Sequence, residues 1–188
     1  MTERSPAPGG LGLVEALVNT LDIESGADAL DTPEVRARLG VTDEETDRAR
    51  ALRESLRATL LAHAGHPPHR EVTPLGDLLA GAPLLVRVDP ADGSAALAPA
   101  DDRSLHARVA AAVAEALVAG TWTRLKACEA ADCHWAYYDR SPAGRGRWCS
   151  MQVCGARAKM RRYRAKDGRT SSSNAEFPDG GRGSDIGM

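Results

Sequence analysis

Residues 128–166 read CEAADCHWAYYDRSPAGRGRWCSMQVCGARAKMRRYRAK and hold all four cysteines of the chain, Cys128, Cys133, Cys149 and Cys154, in the spacing C-x4-C-x15-C-x4-C. Two local pairs separated by a connection of hairpin length can bring four soft thiolates to the corners of a tetrahedron around one zinc ion, at Zn–S distances of about 2.3 Å. Four cysteine ligands leave no open position for water or substrate, so the site reads as structural rather than catalytic. An iron–sulfur cluster on four thiolates is the metallic alternative, and the paired spacing favours zinc. No cysteine remains elsewhere to build a disulfide framework, and in a reducing compartment such a cluster favours metal.

Between the pairs, His134–Asp139 is strand-like, Ser141–Gly144 has turn chemistry, and Arg147–Trp148 leads back to the third cysteine. Ser150 is placed to cap a helix that contains Cys154 near its start. Along that helix Val153, Ala156, Met160 and Tyr163 share one side and are expected to turn toward the hairpin. Arg157, Arg161 and Arg164 form a second stripe, flanked by Lys159, Arg162 and Lys166. A hairpin and a helix closed by two cysteine pairs follow the element order of a treble clef. Trp135, Tyr137 and Tyr138 are read first as the small core such a module needs, and second as stacking platforms for bases. His134 is left out of the metal site, because adjacent strand residues point to opposite faces.

Working outward, the charge of the chain is divided. Thr121–Arg169 carries 12 Lys and Arg against 4 Asp and Glu, a net +8, while the remainder carries 12 against 22, a net −10. The chain has 188 residues, 43% of them hydrophobic, with a single Phe. Its core must therefore come from Ala, Leu and Val, a composition that leans helical. Leu13, Val14, Leu17, Val18 and Leu21 recur at helical spacing from Leu11 onward. Thr32–Pro33 and Gly40 bracket a short helix, and Thr42 with Glu45 forms a capping box for a helix running through Leu52, Leu56 and Leu60 to about His63, with its arginines on the solvent side. Thr73–Leu79 adds a short helix, Pro83–Val88 and Ser94–Ala98 form a hairpin, and Leu105–Ala119 is a strongly apolar helix ended by Gly120. His63, His66 and His69 invite a second metal site, but Pro67 and Pro68 break the helix that would align them, so they read as solvent-facing. Asn19, inside an apolar helix, reads as a buried amide satisfied by backbone rather than as a ligand contact.

The expected fold class is mainly α with a small β-hairpin: a helical N-terminal domain plus a C-terminal treble-clef-like zinc finger. The expected limits are a disordered tail over 1–10, a helical domain over 11–120, the finger over 121–167 and a second disordered tail over 168–188. The N-terminal helices carry their own caps and apolar faces, so residues 1–119 are expected to fold without the finger. No stretch approaches the roughly 20 apolar residues of a membrane span and no signal-peptide pattern is present, so a cytoplasmic location without membrane contact is expected.

Cys128–Lys166 resembles the CGNR zinc finger through Asp139-Arg140-Ser141, Arg147-Trp148-Cys149-Ser150-Met151 and Cys154-Gly155-Ala156-Arg157-Ala158-Lys159. The N-terminal part, with Leu17-Val18-Asn19-Thr20 in its opening helix, is similar to the ABATE domain that precedes this finger in bacterial proteins described as stress-induced transcriptional regulators. Two positions depart from the pattern. Ala156 stands where the family has Asn, and Gly146 precedes Arg147 where two adjacent arginines are common. The resemblance implies one structural zinc ion on Cys128, Cys133, Cys149 and Cys154, and it implies DNA binding and transcriptional control. The expected DNA contacts are Arg147, Arg157, Lys159, Arg161, Arg162 and Arg164, since guanidinium forks match phosphate oxygens and guanine edges. The acidic N-terminal domain would sense a small-molecule effector or form a homodimer. The rival reading is an adaptor whose finger binds an acidic protein partner or RNA. An enzyme is not expected: the sequence holds no nucleophile elbow, phosphate loop or open metal site.

Overall fold

The computed structural model describes residues 5–172, with side chains described as far as Ala165. The chain forms α1 (Leu11–Val18), α2 (Pro33–Leu39), α3 (Thr46–His63), α4 (Leu75–Leu79), β1 (Leu84–Val88), β2 (Ala95–Pro99), α5 (Leu105–Val118), β3 (Leu125–Ala127), β4 (Ala136–Tyr138) and α6 (Ala156–Ser172). It is mainly helical, with two antiparallel two-stranded sheets among the described residues. The capping box at Thr42 and Glu45 is present, and it opens a single 3-10 turn that runs into α3.

The helical periodicities locate the core. Leu11, Val14, Leu17 and Val18 of α1 are buried against Leu52, Leu56 and Leu60 of α3 and against Val109, Ala112 and Ala116 of α5. Gly10 lets α1 start directly on α5, because a Cβ at that position would lie 2.7 Å from the Ala112 side chain. The β1–β2 hairpin, in register from Leu84↔Pro99 to Val88↔Ala95, packs on α5 mainly through β2.

This core does not stop at residue 120. Trp122, Leu125, Ala127 and Ala136 belong to the same buried cluster as Leu17, Leu52, Leu56 and Leu60, and β3 lies along α3. The helical domain and the finger therefore share one core, where the sequence reading gives the helices an apolar core of their own. Strand β4 pairs with β3, Leu125 opposite Tyr138 and Ala127 opposite Ala136. The hairpin partner is thus the segment before Cys128, and not the Arg147–Trp148 return expected from sequence. The other edge of β4 meets Asn19: its Oδ1 accepts from the Ala136 amide at 2.7 Å and its Nδ2 donates to the Ala136 carbonyl at 3.0 Å. One side chain thus completes both backbone bonds that a neighbouring strand would supply.

The expected N-terminal tail is also corrected for residues 5–10. Ala7 is buried, its amide donates to Glu15 Oε2 at 2.6 Å, and Arg140 donates to the carbonyls of Ser5 and Pro6. These are fixed charged partners, and they tie the segment to both halves of the protein. At the other end the α6 backbone continues to Ser172, past position 168. The tail readings for 1–4 and 173–188 lie outside the described residues.

Two outcomes follow from the shared core. A chain cut at residue 120 should lose cooperative thermal unfolding, because it uncovers α3 and deletes Leu125, Ala127 and Ala136; a sharp melt by circular dichroism near the full-length midpoint would contradict this. Asn19→Ala should destabilise the full chain by about 1–3 kcal/mol, the cost of leaving buried backbone groups unpaired, as measured by urea unfolding with zinc in excess.

Candidate metal centre and nucleic-acid interface

Cys128 follows β3, Cys133 ends the turn after it, Cys149 closes the return loop, and Cys154 sits in a π-helical turn (Met151–Gly155) that leads into α6. Ser150 caps that turn by accepting from the Val153 amide. The four Sγ atoms lie within 4.8 Å of one another, Cys133–Cys149 and Cys149–Cys154 both at 3.6 Å. Tetrahedral thiolates at the Zn–S distance place sulfurs about 3.8 Å apart, so the cluster has the dimensions of a four-sulfur zinc site. Cys128 and Cys154 are buried, the other two half-buried, and no histidine or carboxylate belongs to the group.

The chemistry of the cluster agrees. Cys128 accepts from the Cys133 and Cys149 thiols, which pulls its own thiol down to about 2. Donating to Cys128, with its charge beside them, pushes Cys133 up to about 12 and raises Cys149, while burial raises Cys154. Without a cation the four thiols cannot all ionise. A divalent ion would supply the compensating charge and release protons as it binds. The residues fit one structural zinc ion.

His134 is not a strand residue. It adopts φ +45°, a left-handed conformation uncommon for a side-chain-bearing residue, and β4 begins two residues later. Its Nδ1 sits 2.9 Å from the Cys128 carbonyl oxygen, and its own carbonyl accepts from Arg57 Nη1 at 2.9 Å. Arg57 has 0% of its surface exposed. It also donates to the Val18 carbonyl at 2.8 Å and to Glu54 Oε2 at 3.3 Å. Arg53, beside it, donates to Glu54, Thr20 and Asp28. These α3 arginines were expected to face solvent; they are buried because the α1 terminus, residues 20–28 and the first cysteine pair cover that face. Burial works against the Glu54 carboxylate, yet Arg53, Arg57 and Arg70 hold it below its ordinary value.

The three spaced histidines form no metal site. His63 Nδ1 lies 2.8 Å from the Leu125 carbonyl with its ring edge-on to Trp122, and His69 Nε2 lies 2.9 Å from Glu54. His66 stands 3.6 Å from Glu129. All three are half-buried packing groups, not the solvent-facing residues expected.

The loop between the cysteine pairs is held by a buried ion pair that sequence reading missed. Lys126 Nζ donates to Asp139 Oδ2 at 2.9 Å and to the Gly144 carbonyl. Burial alone would raise the Asp139 carboxyl, but bonds from Ser141, Lys126 and Gly146 keep it well below the usual carboxylate range. At Gly146 a Cβ would stand 2.9 Å from the Asp139 carboxyl carbon. The glycine that departs from the paired-arginine pattern is therefore what lets the loop close over Asp139.

The basic residues divide into two groups. Arg147 makes a two-pronged pair with Glu129 and lies over the Trp148 ring, and Arg157 reaches Glu24 at 3.0 Å and Asp132 at 3.9 Å. Lys159, Arg161, Arg162 and Arg164 are exposed, and among the described residues no ion pair involves them. Met160 and Tyr163, expected to face the hairpin, are 53% and 63% exposed. The reason is that α6 leaves the body after Gly155, and among the described residues no other named element packs along it. Val153, Ala156 and Met160 instead line a shallow open groove with Arg157, Arg161 and Arg164.

A helical domain whose core runs on into a four-cysteine finger, with a basic helix standing free of the body, defines a zinc-finger protein of two linked parts. A family model for the CGNR zinc finger matches residues 124–167, and one for ABATE, described as a putative stress-induced transcription regulator, matches residues 12–120. The second match spans more than half of the chain, which belongs to the ABATE family and carries a CGNR finger. No curated protein sequence matches it. Among the described residues no helix is long and apolar enough to cross a membrane.

Metal analysis of the purified chain should return one zinc per molecule. Cys149→Ser should lose it, and should open the return loop and α6, residues 140–165, to proteolysis while the α1–α3–α5 cluster and the β3–β4 pair stay protected. Zinc retained at full stoichiometry in that variant would overturn the assignment of ligands.

Proposed function

We propose that this chain is a zinc-dependent transcription regulator that binds duplex DNA through α6. The observation that carries the reading is the combination of exposure and charge. Arg140–Lys166 holds nine Lys and Arg and not one Asp or Glu, and four of those cations project from α6 without a partner in the described structure. Guanidinium and ammonium groups held on a rigid rod suit phosphate oxygens and the edges of the major groove. Four thiolates and one zinc change the finger's formal charge by −2, so its +8 becomes +6 and the surface stays cationic. The net −10 of the remaining chain turns the rest of the molecule away from a polyanion and orients the approach. The helical domain then senses an effector or joins two copies, and no catalytic step is assigned.

The division of the basic residues sharpens the test. Full-length zinc-loaded chain is used to select a preferred duplex, and binding is measured at several salt concentrations. Arg161→Ala and Arg164→Ala should each lower the magnitude of the log–log salt slope by about 0.9. Arg147→Ala, which unpairs Glu129, should act mainly on stability. Unchanged affinity and slope in a zinc-loaded Arg161→Ala, Arg164→Ala double variant would remove α6 from the interface and favour the protein-adaptor reading.

A further inference from the structure

We propose that the apolar stripe running from Val153 in the π-helical turn to Met160 in α6 reads the C5-methyl groups of thymine while the cations on either side of it engage phosphates. The assignment rests on the DNA-binding reading above and adds a sequence preference to it. Four observations lead to it.

First, the stripe is uncovered among the described residues. Val153 is 49% exposed and Met160 53%, and the groove they share with Ala156 is open. In a folded protein exposed apolar side chains at successive helical turns point to a partner rather than to water. Second, the stripe is bordered by cations on both sides. Arg161 and Arg164 follow it around the helix in one sense, and helical spacing puts Lys159 on the other. A partner must therefore present apolar matter in a trough between two negatively charged walls. The major groove of B-DNA has that profile: it is wide enough for one helix, has phosphates along both rims, and has thymine methyls as its apolar groups.

Third, the same charges disfavour a second copy of this helix as the occupant. Two stripes meeting face to face would bring Lys159, Arg161 and Arg164 of both copies together, and Ala156–Lys166 contains no acidic residue to compensate. Fourth, the side chains are of suitable kind. Met is long and unbranched, and it adapts to an irregular floor. Val153 and Ala156 are short enough to let the backbone come close. With Arg157 held by Glu24 and Asp132, the helix also has a lateral tie to the body near the start of the stripe.

The test compares the preferred duplex of the full-length zinc-loaded chain with the same duplex in which each thymine is replaced in turn by deoxyuracil, a change that removes only the methyl and keeps every base pair. Each methyl covered by the stripe should weaken binding about fourfold when it is removed, the value of one buried methyl-sized group. In Met160→Ala, which is half exposed and so leaves the fold and the zinc intact, the thymine-to-uracil ratio should fall toward one at the most sensitive position while the salt slope stays unchanged. Equal affinity for every thymine and uracil duplex, with tight selective binding preserved, would overturn the methyl assignment and leave the DNA-binding reading standing. A Met160→Ala variant that keeps the full ratio, but loses self-association or binding to anionic lipid vesicles, would give the stripe to one of those partners instead. Failure of the zinc-loaded chain to prefer any duplex would take down both readings together.

Discussion

Arg57 places a positive charge where no water reaches it, at the point where the end of α1, the middle of α3 and the first cysteine pair converge. A buried ion is expensive unless its charge is balanced and every donor is used. Here Glu54 supplies the countercharge and the carbonyls of Val18 and His134 take the two terminal nitrogens. The planar fork of a guanidinium can address three directions at once, which an ammonium on a flexible stem cannot do with the same precision. Glu54 is shared in turn with Arg53 and His69, and Arg53 reaches Thr20 and Asp28. The helical body and the metal knuckle are thus fixed to each other by directional polar contacts as well as by shared apolar surface.

That arrangement changes what the metal stabilises. A finger of about forty residues with a small core usually depends on its ion for nearly all of its order. In this chain β3 is already seated on α3, and β4 lies against α1 with its outer edge bonded by Asn19, so half of the finger has a second support. The part that depends on the ion alone is the return loop and the root of α6, where Cys149 and Cys154 are the anchors and the neighbouring apolar cluster holds little beyond the cysteines, Ala130 and Trp148. The zinc then acts chiefly on the direction in which α6 leaves the body.

The features legible in the sequence are those set by local chemistry. Cysteine spacing located the metal centre, the capping box and Pro33 located helix starts, and a short, partly β-branched run with the turn residues after it located the β1–β2 hairpin. What escaped was set by distant cover. An arginine on α3 looks the same in sequence whether water or a zinc knuckle lies over it, and the residue that decides the matter for Arg57 is His134, 77 positions away. The partner of Asn19 is 117 positions away, so the amide could be read as satisfied by backbone without saying whose. Periodicity on α6 grouped Met160 with Tyr163 but could not tell that no described element folds back over them. The His63, His66 and His69 spacing suggested a shared role, and the turn at Gly65–Pro68 sends each ring to a different partner.

The polar ties across residue 120 bear on how such proteins can diversify. In most two-part regulators a reader and a sensor meet through a linker, and recombination can exchange one for another without repair. Here a crossover near Thr121 would separate Asn19 from Ala136, and Arg57 from His134, and an incoming finger would bring a backbone that its new host is not equipped to satisfy. Exchange should succeed only between relatives whose helices already carry an amide at position 19 and a guanidinium at position 57. The pairing of this helical domain with this finger is in that sense an inherited unit, and substitutions should accumulate on the exposed surface of α6, where side chains can be replaced without disturbing either part.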